Sequence, residues 1–398
     1  MKRQKRLCLL GGICLALILV PAPHYVTSAG AASTEPIKIG VLVPQTGIMT
    51  EVGNNVKSGL TIAFDEVGWK IDGRDIKMIV EDDEMKPPVA LQKARKLVES
   101  DRVDLLAGVV HSGIALALRD YVDERRIPLI ISCATADAIT KEKASKYVFR
   151  TSYNSEQQSA PIAVYSYREL KDRAAFAIAQ DYVLGHDMAD WFKRVFEKLG
   201  GKVAGEVFSP LGTTDFAPYL TKIKDVDAVW ISTPGSDGIQ LIKQYDEYGL
   251  KKKIKHLIGA TPTYQAYMLD LEKDAALGAM CSSAYAVALN SPENRKFVNT
   301  YLKMSKGRLP DDIVEGSYVA GRVIIEGIKN AKGNTADVPK LLDSFRKVKL
   351  VTPRGPFSFD ANQNSVCDIY IEKVVKKDGK YTKDIIYTYK NVHQDWNP

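Results

Sequence analysis

Apolar and polar positions along this chain follow two rhythms that take turns. Continuous apolar runs such as Ile37 to Val43, "VDLLAGVV" and "IPLIIS" have the length and β-branched content of strands buried on both faces. Between them apolar residues recur every three or four positions, as in Val56, Leu60, Ala63, Phe64 and Val67, which is the stripe of a helix with one buried face. An alternating strand (Ile76, Met78, Val80), a helix after Pro87-Pro88 and the helix "IALALRDYVDERR" complete a first βα array. A second begins after "YVFRTSYNSEQQS" with the strand "AAFAIA" and a helix carrying Met188, Phe192, Val195, Phe196 and Leu199. It continues through "KVAGEVF", a helix around Phe216 to Ile223, "VDAVWIS", "GIQLIKQYDEYGL", "IKHLIG" and "LGAMCSSAYA". Two such arrays predict an α/β protein of two doubly wound, Rossmann-like lobes.

The tail breaks the alternation. Helices are expected over 292–303, 312–331 and 338–348, followed by two alternating segments, "CDIYIEKVV" and "DIIYTY", joined at Lys377-Asp378-Gly379-Lys380 as a hairpin. These elements make no complete sheet of their own. They are expected to return to the lobes already built, so that several connections cross between lobes as in a hinged clamp.

Ahead of the arrays, Lys2, Arg3, Lys5 and Arg6 precede "LCLLGGICLALILV" and the small-residue tract "TSAGAAS". That order is a secretory signal peptide over residues 1–32, cleaved near Ala31. The apolar run falls short of a membrane span, and Gly11-Gly12-Ile13-Cys14 matches a lipid-attachment box poorly. Four of the seven net positive charges leave with the leader, so the mature chain carries only +3 and no concentrated basic face, which argues against nucleic acid as a partner. Cys133, Cys281 and Cys367 remain, an odd number at spacings that specify neither a disulfide framework nor a zinc site.

The loop after the first strand invites a phosphate-binding reading, but "VPQTGIMTEVG" places Gly47 and Gly53 wrongly for G-x-G-x-x-G, and no P-loop occurs. What stands is the rule that ligands of open α/β sheets lie beyond the carboxyl ends of the strands. Three polar loops occupy that place in the first lobe: Gln45-Thr46-Gly47, His111-Ser112-Gly113 and Cys133-Ala134-Thr135. Each alone is explained by helix capping or by the small residues a tight turn needs. Together they offer hydroxyls and backbone N–H groups for a carboxylate without a charged side chain. The second lobe offers Tyr153, Tyr182, Tyr264 and Tyr267 near its own strand ends, and the small-residue loop "STPGSDG" with Thr233, Pro234 and Gly235. Tyrosines so placed either edge a core or cover an apolar ligand group.

Catalysis and metal binding find little support. His111, His186, His256 and His393 lie in no H-E-x-x-H motif, no G-x-S-x-G elbow is present, and Cys133 has no visible base. The acidic run Glu81 to Glu84 reads as a solvated strand end. The chain is therefore expected not to be an enzyme and to need no cofactor or metal.

Taken together, "IKIGVLVPQTG", "DGRDIKMIVEDDEMKPPVALQKARKLVESDRV", "IPLIISCATA", "YVFRT", "VDAVWISTPG" and "GSYVAGRVIIEGIKNAKG" resemble the leucine/isoleucine/valine-binding protein family over essentially the whole mature chain. The resemblance implies a type I periplasmic solute-binding fold with three crossovers, expected near Thr151 to Ser155, Ser282 to Asn290 and Thr352 to Ser358. Lobe 1 would then comprise 33–152 plus 288–352, and lobe 2 153–287 plus 353–398. It further implies a periplasmic monomer that closes on one small-molecule ligand and hands it to the membrane permease of an ABC importer. Ser112 and Thr135 match the hydroxyls that hold an amino-acid carboxylate in such relatives. Val52 stands where they often carry an aromatic, and bulky His111 is expected to add a positive donor. No acid for a ligand ammonium is obvious; Asp274 and Glu315 are the candidates. The ligand expected is thus a carboxylate with an apolar body, either a hydrophobic amino acid or an amine-free aromatic acid. A sensor that signals through a partner is the alternative.

Overall fold

The computed structural model describes residues 35–396, so the leader lies outside the described residues. Two sheets form. The first contains β1 (Ile37–Val43), β2 (Lys70–Ile71), β3 (Arg74–Asp82), β4 (Leu105–Gly108), β5 (Leu129–Ile131) and β6 (Val148–Arg150), in the order β2-β3-β1-β4-β5-β6. Apart from β2, every pairing in it is parallel. The second contains β7 (Ala174–Gln180), β8 (Lys202–Ser209), β9 (Ala228–Ser232), β10 (His256–Ala260), β11 (Met280–Ser283), β12 (Leu350–Thr352), β13 (Gly355–Phe359), β14 (Ser365–Lys377) and β15 (Lys380–Val392). Its parallel centre β8-β7-β9-β10-β11 is extended by antiparallel β14, against which β13 and β15 pair.

The apolar runs end up where their composition requires. β1, β4, β5 and β9 are buried on both faces, whereas exposed positions alternate along β8 at an edge. The "VDLLAGVV" strand stops earlier than its hydrophobicity suggests, because Gly108 and Val109 both take positive φ and turn the chain into the cleft. At the β14–β15 hairpin, Asp378 and Gly379 have φ of 49° and 77°, the mirror-image turn that matches strand twist.

Helices cover both sheets: α1 (Thr50–Asp65), α2 (Pro87–Arg95), α3 (Ser112–Arg125), α4 (Ser155–Arg168), α5 (Val183–Lys198), α6 (Ala217–Leu220), α7 (Gly235–Glu247), α8 (Leu250–Lys253), α9 (Ala266–Glu272), α10 (Pro292–Met304), α11 (Asp312–Asn330) and α12 (Val338–Arg346). α11 returns to the first lobe and lies directly on α1. At Gly59 a Cβ would fall 2.2 Å from the Val314 carbonyl oxygen, so the backbones approach as only glycine allows. That contact fixes the start of α11 at the mouth of the first sheet.

The first core includes residues from β1, β4, β5, α1 and α11, together with Phe357 from β13; the second sheet has a core on each face. A small separate cluster comprises Tyr153, Ala284, Cys367, Ile369 and Val392, the last three from β14 and β15. Buried Arg150 seals the same region, its Nε donating to Asn364 Oδ1 at 2.6 Å and Nη1 to the Ala136 carbonyl at 2.7 Å. Among the described residues no helix is long and apolar enough to cross a membrane.

Candidate ligand-binding site

The carboxyl ends of both sheets face one cavity of about 510 Å³, counted to its open mouth. From the first lobe it is lined by Met49 and Val52 at the start of α1, Val110 after β4, and Ser132, Cys133 and Thr135 after β5. The second lobe supplies Tyr182 and Leu184 after β7, Pro234 after β9, and Pro262 and Gln265 after β10. Ser152 and Tyr153 come from the stretch after β6, Gln158 from α4, and Asp312 and Ile313 from the start of α11. Of the residues singled out in the sequence, Val52, Cys133, Thr135, Tyr153, Tyr182 and Pro234 thus line it.

The others stand behind the wall or away from it. The Gln45 backbone N–H and the Thr46 hydroxyl donate to the Asp82 carboxylate at 2.9 and 2.7 Å, tying down the first loop. Those bonds, with the Glu84 backbone N–H, hold Asp82 below the usual carboxylate range despite some burial. Ser112 and Ala134 are fully buried; the Ser112 Oγ accepts from the backbone N–H of Thr135 (3.3 Å) and Ala136 (3.2 Å), ordering the third loop. Gly113 is held beneath the His111 ring, 2.8 Å from which its Cβ would fall. Thr233 is buried and its N–H donates to Thr263 Oγ1. Tyr264 lies wholly within the second lobe's core rather than in the cavity, because its ring packs over Gly259.

Three expectations need correction. His111 is not placed as a cationic donor: its Nδ1 accepts from the Ile114 N–H at 3.3 Å as the cap of α3, and burial lowers its pKa, which disfavours the charged ring. Its ring instead meets Tyr182 across the cleft at 5.1 Å. Asp274 is 72% exposed, bonded to Tyr381 and beside Lys376, far from any need for a ligand. Glu315 is buried against Arg354. The acid that does line the cavity is Asp312, whose Oδ2 accepts from the Tyr153 hydroxyl at 2.6 Å. Burial raises its pKa, the Tyr153 bond opposing. In the sequence it reads as the start of a helix after Pro310-Asp311, and only the α1–α11 contact turns it into the cleft. Cys133 is no nucleophile, since burial drives its thiol pKa far up.

The lobes touch at the mouth. Gly235, at φ 69°, opens α7 so close to the first lobe that a Cβ would lie 3.0 Å from the Ile48 carbonyl oxygen. A second contact is acidic: the Asp137 N–H donates to Asp187 Oδ2 on α5 at 3.2 Å, and the Trp191 indole to Asp137 Oδ2 at 2.6 Å, with Lys141 bridging Asp137 and Glu156. Burial, with Asp137 nearby, raises Asp187 to about 6, and burial raises Glu156 to about 7 against the pull of Lys141. Both values lie above those of solvated carboxyls, so the folded, apposed form binds more protons. The stability they contribute is complete below about 4 and is lost as pH climbs from there through about 7. The melting temperature is expected to fall over that range, and Asp187→Asn to flatten the fall; an unchanged slope in the variant contradicts the assignment.

A two-lobed α/β molecule with its cavity at the seam, and walls drawn from both halves, is a hinged ligand receptor. Residues 36–380 match the periplasmic binding protein family. A Leu/Ile/Val-binding protein homolog 6 from Brucella melitensis is 31% identical over 91% of this chain and 94% of its own. An ABC transporter substrate-binding protein from Sphaerobacter thermophilus superposes with a TM-score of 0.84 at 34% identity, covering 89% of this chain and 98% of its own. A solute-binding protein of an ABC transporter from Rhodopseudomonas palustris, solved with 3,4-dihydroxybenzoic acid, gives 0.86 at 30% identity over 91% and 99%. The chain belongs to the periplasmic binding protein family, with the type I fold. It is a solute-binding protein of the kind that serves ABC transporters, and it is not an enzyme.

Proposed function

We propose that this protein is exported by its leader to the periplasm and acts there as a monomer, delivering a small carboxylic acid with a compact apolar body to an ABC permease. The observation that carries this reading is the cavity wall. Met49, Val52, Val110, Leu184, Pro234, Pro262 and Ile313 give it an apolar body, Tyr153 and Tyr182 give it rings, and no Lys, Arg or His is among its lining residues. An anion in such a place is held by neutral donors. We assign the carboxylate to the edge of the first sheet, with the Thr135 hydroxyl as its partner on the loop that Ser112 holds in place. The reading takes lobe 1 as 33–152 plus 288–352 and lobe 2 as 153–287 plus 353–398, closing over the acid.

The relatives support the class. One bears a Leu/Ile/Val-binding name and another was solved with a dihydroxybenzoic acid, both near 30% identity. A branched-chain amino acid and an aromatic acid share the carboxylate and a body of this size. A thermal-shift screen of amino acids, aromatic acids and neutral sugars tests the proposal, since a ligand that binds only the folded state raises the melting temperature. Stabilisation confined to carboxylates is expected; stabilisation by sugars alone rejects it.

A further inference from the structure

At one lip of the cleft the lobes meet through two carboxyl groups rather than through an ion pair. Asp137 stands on the first lobe, in the loop after β5, and Asp187 on the second, in the first turns of α5. Asp137 is held from several sides: Oδ1 accepts from the Glu156 N–H at 3.3 Å, Oδ2 from the Trp191 indole at 2.6 Å, and Lys141 Nζ lies 3.4 Å away. Lys141 is also committed to Glu156 and Asp395. Asp187 is held by a single bond, the Asp137 N–H donating to its Oδ2 at 3.2 Å, and no ion pair among the described residues reaches it. The charges that face it are Asp137 and Glu142 from the first lobe, Asp190 from its own helix, and the buried Arg150 guanidinium, which is bonded to the Ala136 carbonyl. Arg194, one turn on, is spent on Asp190.

Closing the lobes takes Asp187 out of water and sets it against Asp137, and two ionised carboxylates so placed repel. A proton on Asp187 removes the repulsion and leaves Oδ2 free to accept the Asp137 N–H. We infer that Asp187 and Asp137 form a proton-operated latch: the lobes close firmly when Asp187 carries a proton and part more readily when it does not. The inference rests on the hinged-receptor reading above and adds regulation to it, since a ligand is held more tightly in acid surroundings. The sign follows from the two states. Apposed, Asp187 is raised to about 6, whereas a solvated aspartate ionises near about 4, so closure takes up a proton. The latch is complete below about 4 and is lost as pH rises through about 6, which makes closure about tenfold more favourable at pH 5 than at pH 8. His111, across the cleft from Tyr182, works the other way, because burial opposes its protonation.

Isothermal titration of leucine and of 4-hydroxybenzoate at about pH 5 and about pH 8, on the wild type and on Asp187→Asn, tests this. The acid that binds the wild type is expected to bind about tenfold more tightly at the lower pH. In Asp187→Asn, which keeps the acceptor oxygen but cannot ionise, the gap is expected to shrink to under about threefold and so to separate Asp187 from the other acids of the cleft. Equal affinity at the two pH values in the wild type, or weaker binding at the lower one, overturns the latch however the variant folds. A full gap retained by Asp187→Asn also overturns it. If neither acid binds, the carboxylic-acid reading falls and the latch is judged by small-angle X-ray scattering of the ligand-free wild type. A smaller radius of gyration at the lower pH then supports it, and an equal radius overturns it.

Discussion

Arg354→Ala is expected to cost about 3–5 kcal/mol of stability, the range for breaking a buried ion pair from one side. Arg354 and Glu315 are 2% and 0% exposed, and the Arg354 Nε donates to Glu315 Oε2 at 2.6 Å while Nη1 reaches the Thr151 carbonyl at 3.3 Å. One side chain thus ties α11 to Thr151 just after β6 and to the turn between β12 and β13. Its loss strands a carboxylate in the interior. Chemical denaturation of the wild type, Arg354→Ala and the double variant Arg354→Met with Glu315→Leu checks this: the single change is expected to be much the worst, because the pair removed together leaves no buried charge. A single variant as stable as the double contradicts the role.

Thr135→Val and Ser112→Ala are expected to weaken ligand binding by about 10- to 100-fold, with different side effects. Thr135 lines the cavity, so replacing its hydroxyl by a methyl of the same shape removes a ligand bond worth about 1–3 kcal/mol when buried. Stability should scarcely change. Ser112 does not line the cavity but accepts from two buried N–H groups of the third loop, so Ser112→Ala unpairs both and lowers the melting temperature as well as the affinity. Calorimetric affinities with melting curves separate the two. Affinity untouched in both variants places the carboxylate elsewhere.

Much of this molecule is legible in its residue pattern for physical reasons. Strands buried on both faces of a parallel sheet need uninterrupted apolar runs, and β1 and β9 have them. The loops at the carboxyl edge follow directly, which is why Thr135, Tyr182 and Pro234 can be picked out from the residues alone, whereas Val52 is marked only by the family resemblance. What is not legible depends on packing between distant segments. Asp312 enters the cleft only because Gly59 lets α11 close on α1, and Ser152 and Gln158 line it only because the chain after β6 and the first turns of α4 pass beside the cavity. Asp274 shows the converse error: position near a strand-end loop in sequence says nothing of direction, and its carboxylate faces solvent. His111 misled for a related reason, since a ring at a helix start can cap the helix as well as meet a ligand.

A carboxylate held by neutral donors is the central expectation for a cleft whose lining, among the described residues, includes no Lys, Arg or His. Isothermal titration of an acid against its own primary amide, leucine against leucinamide and benzoate against benzamide, measures that claim directly. The acid of at least one pair is expected to bind with one site per chain while its amide shows no measurable heat of binding. An amide that binds as tightly as its acid contradicts recognition of the carboxylate.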